Sequence, residues 1–184
     1  MHHLSSISPL SPAATAALSA ISYPVTIRKN ADLQPIGHTC RTIYIVVKGA
    51  LRVYYFKDDT DITESFEFEN AIVARAESLF SGRPSRKGIQ AIEDTELIAI
   101  NAVRLFALYD EHHDLERLFR KIFEAAYVKT VNRLESLQFH TAEERYHNLL
   151  MDHPDVLKRV PLKYIAAYLG ITQVSLSRIR AVRK

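Results

Sequence analysis

Hydrophobic and polar positions follow two different periods along the chain, and the change falls near Asn101. Before it, apolar residues alternate with polar ones, as Val25 and Ile27 do, or form short β-branched runs. The predicted strands are 23–27, 43–47, 51–56, 62–68, 89–92 and 97–100. Because turn residues separate these strands and no long helix lies between them, the pattern is typical of an antiparallel barrel or sandwich.

After Asn101, which is suited to cap a helix, the period becomes helical. Apolar residues recur every three or four positions over 112–138 without glycine or proline, which predicts one helix about 40 Å long. A helix of this length cannot bury its whole apolar face against a small barrel, so we expect it to pack partly on a second copy. The alternative is a surface helix that lies across the barrel of one chain.

Capping residues predict the ends of further helices. Residues 11–12, a serine followed by a proline, open an alanine-rich helix over 13–21. Thr141 and Glu144 form a capping box at the start of the next helix. A polar, proline-containing connection is expected at 152–160.

Residues 161–180 carry the most informative pattern in the chain. Pro161 opens a short helix that ends at Gly170, where the chain must turn in a left-handed conformation, and Thr172 caps a final helix. The apolar positions that would face one another across the turn are Ile165, Ala166, Leu169, Leu176 and Ile179. This order predicts a helix-turn-helix. The alternative is an ordinary corner between two helices, in which Gly170 is only a C-cap.

Charge is divided unevenly along the chain. The formal net charge is +3, but residues 156–184 hold seven of the 24 lysines and arginines and none of the 21 acidic residues. The first 155 residues therefore carry a net charge of −4 and the rest carry +7. This asymmetry favours an anionic partner for the C-terminal segment, the alternative being a solvated basic face.

The last predicted helix has the side chains that a major-groove recognition helix needs, with short or hydrogen-bonding groups first and arginine further along. We expect Arg178 to read guanine, Gln173 to read adenine and Val174 to contact a thymine methyl group. The other expected DNA contacts, most of them to phosphates, are Thr172, Ser175, Ser177, Arg180, Arg183, Lys184 and Lys163.

The order of parts resembles the Crp/Fnr family of bacterial transcription regulators. The resemblance rests on a first β-roll hairpin at 43–55, on 78–85 in the place of the family's phosphate-binding cassette, and on 143–146 and 159–172, which resemble a short subgroup common in Bacteroidetes. It covers most of residues 10–184. It implies a homodimer that reads a palindromic site in double-stranded DNA through the helix at 173–183, as an activator or a repressor, with RNA polymerase as a further partner.

The resemblance also implies the fold, an α+β chain built on an antiparallel double-stranded β-helix of the β-roll or jelly-roll type. The expected domains are a cyclic-nucleotide-binding-like β-roll at 1–109, a dimerisation helix at 110–139 and a helix-turn-helix domain at 140–184.

The effector site departs from the family's pattern. Family members that bind cyclic nucleotides have a Gly-Glu pair for the ribose, and here Ala74 and Arg75 stand in its place. Binding of cAMP is therefore not expected. Arg75, Ser85, Arg86 and Lys87 are the candidates for holding a small anionic effector. The alternative is that Arg86 and Lys87 are solvent-facing loop residues.

Other chemistry has little support in the residues. Cys40 is the only cysteine, which excludes an intrachain disulfide, and the eight histidines lack metal-site spacing, so no metal or catalytic residue is expected. No apolar run approaches the ~20 residues that a bilayer span needs, and a cytoplasmic protein is expected. The pattern thus favours a regulator over an enzyme. The alternative function is a cyclic-nucleotide-type sensor module that regulates a protein partner without binding DNA.

Overall fold

The structure is a computed structural model that describes residues 2–181. The strands lie between residues 22 and 101, three helices precede or interrupt them, and six helices follow within the described residues. The strands are β1 (Ser22–Ile27), β2 (Asp32–Gln34), β3 (Thr42–Lys48), β4 (Leu51–Lys57), β5 (Thr60–Glu67), β6 (Ile72–Val73), β7 (Gly88–Ala91) and β8 (Thr95–Asn101). The helices are α1 (His2–Ile7), α2 (Pro12–Ala20), α3 (Ala76–Ser81), α4 (Ala102–Ala107), α5 (His113–Phe139), α6 (Ala142–Asp152), α7 (Val156–Arg159), α8 (Leu162–Leu169) and α9 (Gln173–Ala181).

The strands form two four-stranded sheets that face each other. One sheet has the order β1-β8-β3-β6 and the other β2-β7-β4-β5, and the strand pairs in both are antiparallel. Apolar side chains from both sheets fill the space between them, among them Val46, Leu97, Val53 and Ile89. The predicted antiparallel β-roll within an α+β fold is therefore confirmed.

In two turns of the β-roll, the backbone conformation explains which residues are found there. Asp58 and Asp59, which join β4 to β5, both have positive φ angles of 48° and 59°, as a type I′ hairpin turn requires. Gly49, between β3 and β4, has a φ of 106°, and a Cβ atom there would lie 2.5 Å from Thr95 Oγ1 and 2.8 Å from the Asp94 carbonyl oxygen. Only glycine fits this position without displacing the neighbouring turn.

Helix α5 is one uninterrupted element of 27 residues, as its spacing predicted. Leu115, Leu118, Phe119 and Ile122 in its first half are buried with side chains of α1, α2, α4 and the outer surface of the first sheet. In its second half the side chains are exposed or half-buried. The first half of α5 thus packs against the β-roll and the N-terminal helices, and the second half extends past that packing.

No helix of residues 2–181 is long and apolar enough to cross a membrane.

Helices α6 to α9 pack on the second sheet and share a core with it. The cluster combines Ala50, Phe66 and Ile92 of the β-roll with Tyr146, Leu149, Val156, Val160, Tyr164, Ile165, Ala166, Leu169 and Leu176. The polar connection expected at 152–160 was wrong over α7, because Val156 and Val160 are four residues apart and both point into this cluster. The C-terminal helices are therefore packed directly against the β-roll.

An arginine on α7 reinforces this packing. The Arg159 guanidinium donates two hydrogen bonds to Glu69, of 2.7 and 2.8 Å, and one of 3.1 Å from its Nε to Glu93. Glu69 lies in the turn after β5 and Glu93 in the turn before β8. The same guanidinium lies 5.0 Å from the ring centroid of Phe68. This ion-pair cluster fixes α7 to two turns of the β-roll.

Candidate functional site

Helices α8 and α9 form the compact two-helix unit that the sequence predicted. Gly170 lies between them with a φ of 70°, the left-handed conformation that ends α8. Ala166 and Leu176 are buried where the helices meet, and Ile179 is half-buried on the same side of α9. The Thr172 hydroxyl accepts a hydrogen bond of 3.1 Å from the Ser175 amide and so caps the first turn of α9.

The opposite face of α9 is open to solvent. Most of the predicted DNA contacts on this unit are exposed, namely Lys163, Thr172, Gln173, Val174, Ser177, Arg178 and Arg180, whereas Ser175 is half-buried by its role in the cap. Val174 is 62% exposed, which is high for an aliphatic side chain. Arg183 and Lys184, also predicted to contact DNA, lie outside the described residues.

Of the five basic residues that the structure describes in the C-terminal segment, two are paired with acids. Arg159 is held by Glu69 and Glu93, and Lys158 forms an ion pair of 2.7 Å with Asp155. In contrast, no carboxylate of residues 2–181 forms an ion pair with Lys163, Arg178 or Arg180. The free positive charge is therefore concentrated on α8 and α9.

The carbonyl groups that end α8 are all satisfied, and they divide into two pairs. The Gly170 and Ile171 amides donate to the carbonyls of Ala167 and Ala166, at 3.3 and 3.1 Å, as in a Schellman turn. The carbonyls of Tyr168 and Leu169 accept from arginines of other helices.

Those two arginines are Arg133 of α5 and Arg145 of α6. Arg133 Nη2 donates to the Tyr168 carbonyl, and its Cζ lies 3.8 Å from the centroid of the Tyr168 ring. Arg145 Nη2 donates to the Leu169 carbonyl at 2.7 Å. The turn of the two-helix unit is thus held from outside by the long helix and the helix after it. Sequence reasoning missed this role, since both arginines occupy ordinary polar positions on their helices.

A cleft of about 1360 Å³ lies between the β-roll and these helices. Residues of β5, β6, α3 and the loop after α3 line one side, while α5, α6 and Tyr168 line the other. Of the four predicted effector residues, Arg75, Arg86 and Lys87 line this cleft. Ser85 is buried beside it.

Two carboxylates occupy the β-roll end of the cleft. Arg75 Nη2 lies 3.0 Å from Glu77, and its Nη1 lies 3.5 Å from Glu64. Lys87 Nζ lies 2.8 Å from Glu64, and the Ser85 hydroxyl donates to Glu77 at 2.7 Å. Three of the four predicted effector residues therefore already have carboxylate partners. Of the four, only Arg86 is exposed, and no carboxylate of residues 2–181 forms an ion pair with it.

The electrostatics at Glu77 agree with this geometry. Partial burial opposes ionisation of its carboxyl group, but the hydrogen bond from Ser85 and the charge of Arg75 outweigh that effect, so the pKa of Glu77 lies below its usual range. Sequence reasoning missed Glu64 and Glu77, because a strand residue and a helix residue meet here only through the fold.

The second half of α5 presents an apolar surface with no partner in the described chain. Its large exposed side chains are Tyr127, Val128, Leu134, Leu137 and Phe139. Tyr127 and Leu134 are seven residues apart and so lie on one face of the helix. The spacing is typical of a helix that packs on another helix.

Comparisons with known proteins agree with the fold. Residues 24–112 match the family described as the cyclic nucleotide-binding domain. FixK2 from Bradyrhizobium japonicum is 20% identical, with 88% of this chain and 83% of that chain covered and a TM-score of 0.76. A putative transcriptional regulator of the Crp/Fnr family from Eubacterium rectale is 16% identical, with coverages of 99% and 87% and a TM-score of 0.76.

A third structure, the c-di-GMP-responsive global regulator CLP from Xanthomonas campestris, is 16% identical, with coverages of 92% and 90% and a TM-score of 0.73. No curated protein sequence matches the chain. The second and third of these structures are described as regulators. Residues 24–112 thus match the cyclic nucleotide-binding domain family, and the chain has the fold of Crp/Fnr regulators.

Proposed function

We propose that the chain is a homodimeric transcription regulator of the Crp/Fnr type that binds double-stranded DNA through α9. The observation that carries the proposal is the outer face of the unit formed by α8 and α9, which is exposed, basic and without acidic residues. Such a face suits the negatively charged DNA backbone, and the buried side of the unit fixes its orientation. The fold shared with regulators supports the same function.

Within this proposal, some side chains of α8 and α9 read bases and others contact phosphates. Arg178 reads guanine, Gln173 reads adenine and Val174 contacts a thymine methyl group. Lys163, Thr172, Ser175 and Arg180 contact phosphates or position the helix, with Ser177 beside them. Arg183 and Lys184, outside the described residues, are further proposed DNA contacts. Residues 1–109 act as the sensor and 140–184 as the DNA-binding part.

Dimerisation through residues 112–138 is supported by the exposed apolar surface of α5. Tyr127 is 71% exposed in the single chain, and a second copy of the helix would cover it. Leu134→Glu places a charge at the centre of this surface and should give a monomer in analytical ultracentrifugation. Arg117→Glu, on the exposed side of the first half of α5, is the matched control and should remain a dimer.

The experiment that tests DNA binding is fluorescence anisotropy with a random-sequence duplex at increasing salt concentration. Affinity should fall linearly with the logarithm of salt concentration, with a slope of about −0.9 for each phosphate contacted. Absence of binding at low salt would overturn the proposal. It would favour the alternative function, a sensor module that regulates a protein partner.

A further inference from the structure

Arg133 and Arg145 are neighbouring cations without a carboxylate partner. Both line the cleft, and within residues 2–181 no carboxylate forms an ion pair with either. Each also keeps a buried Nε–H group with no acceptor in that part of the chain. Partly buried charges with unmatched donors are costly unless an acceptor is supplied, so the arrangement points to an anion as the missing partner.

Mutual repulsion strengthens this argument. Burial lowers the pKa of Arg133, and the positive charge of Arg145 acts in the same direction, against the opposing effects of Tyr168 and Glu64. A bound anion between the two groups would relieve the repulsion and satisfy free N–H donors at once.

The charges in the rest of the cleft favour anion binding at the helical end, where Arg133 and Arg145 lie. At the β-roll end, Arg75 and Lys87 are neutralised by Glu64 and Glu77. An anion arriving there would meet carboxylates that already hold the cations. At the helical end, Arg133 and Arg145 donate to the backbone carbonyls of Tyr168, Leu169 and His140 but to no carboxylate of residues 2–181. Arg86 on the facing loop adds another exposed charge to the cleft lining.

We propose that Arg133 and Arg145 form an anion-binding subsite that takes a diphosphate-bearing small molecule. Two guanidinium groups on separate helices can each hold one phosphate through paired N–H···O bonds, which a single-centred anion cannot offer to both. The cleft volume of about 1360 Å³ leaves room for a nucleotide-sized remainder of the ligand.

The subsite is coupled to the turn before α9 because the same guanidinium groups hold the Tyr168 and Leu169 carbonyls. A diphosphate that draws the arginines into the cleft competes with those carbonyls and weakens the outer support of the turn. This last step rests on the proposed DNA-binding function. Ligand binding would then change how α9 is presented to DNA.

The direct test is calorimetric titration of the full chain with inorganic pyrophosphate at constant ionic strength. Wild type should bind saturably, and R133Q and R145Q should each weaken binding about tenfold or more. The matched control is R120Q, on the same helix but outside the cleft lining and paired with Glu124, which should bind like wild type. Circular dichroism verifies that each variant is folded. If a glutamine variant does not fold, R133K or R145K replaces it in the titration.

Three results would overturn the subsite: no saturable binding to wild type, unchanged binding in the R133Q/R145Q double variant, or equal binding of sulfate and pyrophosphate. The coupling is tested separately by hydrogen exchange of the Gly170 and Ile171 amides, which should speed up when pyrophosphate binds. Unchanged exchange would refute the coupling. Because neither measurement uses DNA, pyrophosphate binding without DNA binding would refute the proposed function and leave the subsite standing.

Discussion

The ring of Tyr164 on α8 stacks on the guanidinium of Arg52 on β4, with 3.8 Å between Arg52 Cζ and the ring centroid. Arg52 is only 2% exposed, and it donates two hydrogen bonds to Asp61, of 2.6 and 2.8 Å. The Tyr54 ring lies 4.5 Å from the same Cζ atom. One buried cation thus joins a strand pair to the first helix of the two-helix unit.

Removing the counter-charge of Arg52 should destabilise the whole chain. Asp61→Asn leaves the buried guanidinium without its carboxylate, and we expect a loss of about 2 kcal/mol in the free energy of unfolding, below the value for a fully buried pair because Asp61 is partly exposed. Urea denaturation measures the loss. Glu96→Gln on β8 is the control, because the Glu96 side chain is exposed and forms no ion pair within residues 2–181, and it should change stability by less than about 0.5 kcal/mol.

The Arg159 cluster predicts a defined acid response. The hydrogen bonds from Arg159 lower the pKa of Glu69 from 4.5 to about 2 in the folded chain. Because the folded-state pKa lies below the unfolded value, the stabilisation is fully present above about pH 4.5 and is lost as pH falls toward 2. The stability difference between wild type and Glu69→Gln should therefore be constant near neutral pH and shrink through this range in denaturant titrations.

Arg159→Gln removes the other half of the same pair and should give the same pH dependence when compared with wild type. A stability difference between wild type and Glu69→Gln that stays constant down to pH 2 would contradict the assignment of the low pKa to this pair.

Two arginines of α9 should affect DNA binding in different ways. Arg178→Ala should cost about 1–3 kcal/mol on the preferred site and relax specificity at one base pair. Arg180→Ala should weaken binding to all sequences alike and reduce the salt slope by about 0.9. Anisotropy titrations on matched and mutated duplexes distinguish them, with Arg120→Ala on α5 as an unaffected control. An equal loss on every sequence for Arg178→Ala would remove its base-reading role.

Two of the positive-φ glycines, Gly49 and Gly170, should respond differently to alanine. At Gly170 an added Cβ meets nothing within 4 Å, so Gly170→Ala costs only the left-handed strain, about 1 kcal/mol. At Gly49 the Cβ would lie 2.8 Å from the Asp94 carbonyl oxygen, so Gly49→Ala should cost at least about 3 kcal/mol. Chemical denaturation of both variants makes the comparison, and equal losses would contradict it.

Local signals allowed much of the fold to be predicted from sequence. Ser11, Asn101 and Thr141 accept hydrogen bonds from amides of the first turns that follow them, and Gly170 ends α8 in the left-handed conformation. Each signal acts within a few residues, so the chain segment alone contains it. Strands β2 and β6, of three and two residues, were missed because they are too short to show a period.

Less of the candidate site could be predicted from sequence, because its contacts join segments that are distant along the chain. The exposed face of α9 follows from helical period once Leu176 faces inward. No period, however, relates Arg159 to Glu69, which are 90 residues apart, or Arg133 to the Tyr168 carbonyl, 35 residues on. These pairings exist only after the helices pack on the second sheet.

The core shared by the second sheet and α6 to α9 has a consequence for how the chain is made. The β-roll residues at 50, 66 and 92 leave the ribosome well before the C-terminal residues between 146 and 176 that pack on them. The C-terminal helices therefore fold against a surface that is already formed, and their core includes apolar side chains of that surface. A chain whose β-roll has failed to fold offers no such surface. In such a misfolded chain α9 would therefore not become ordered.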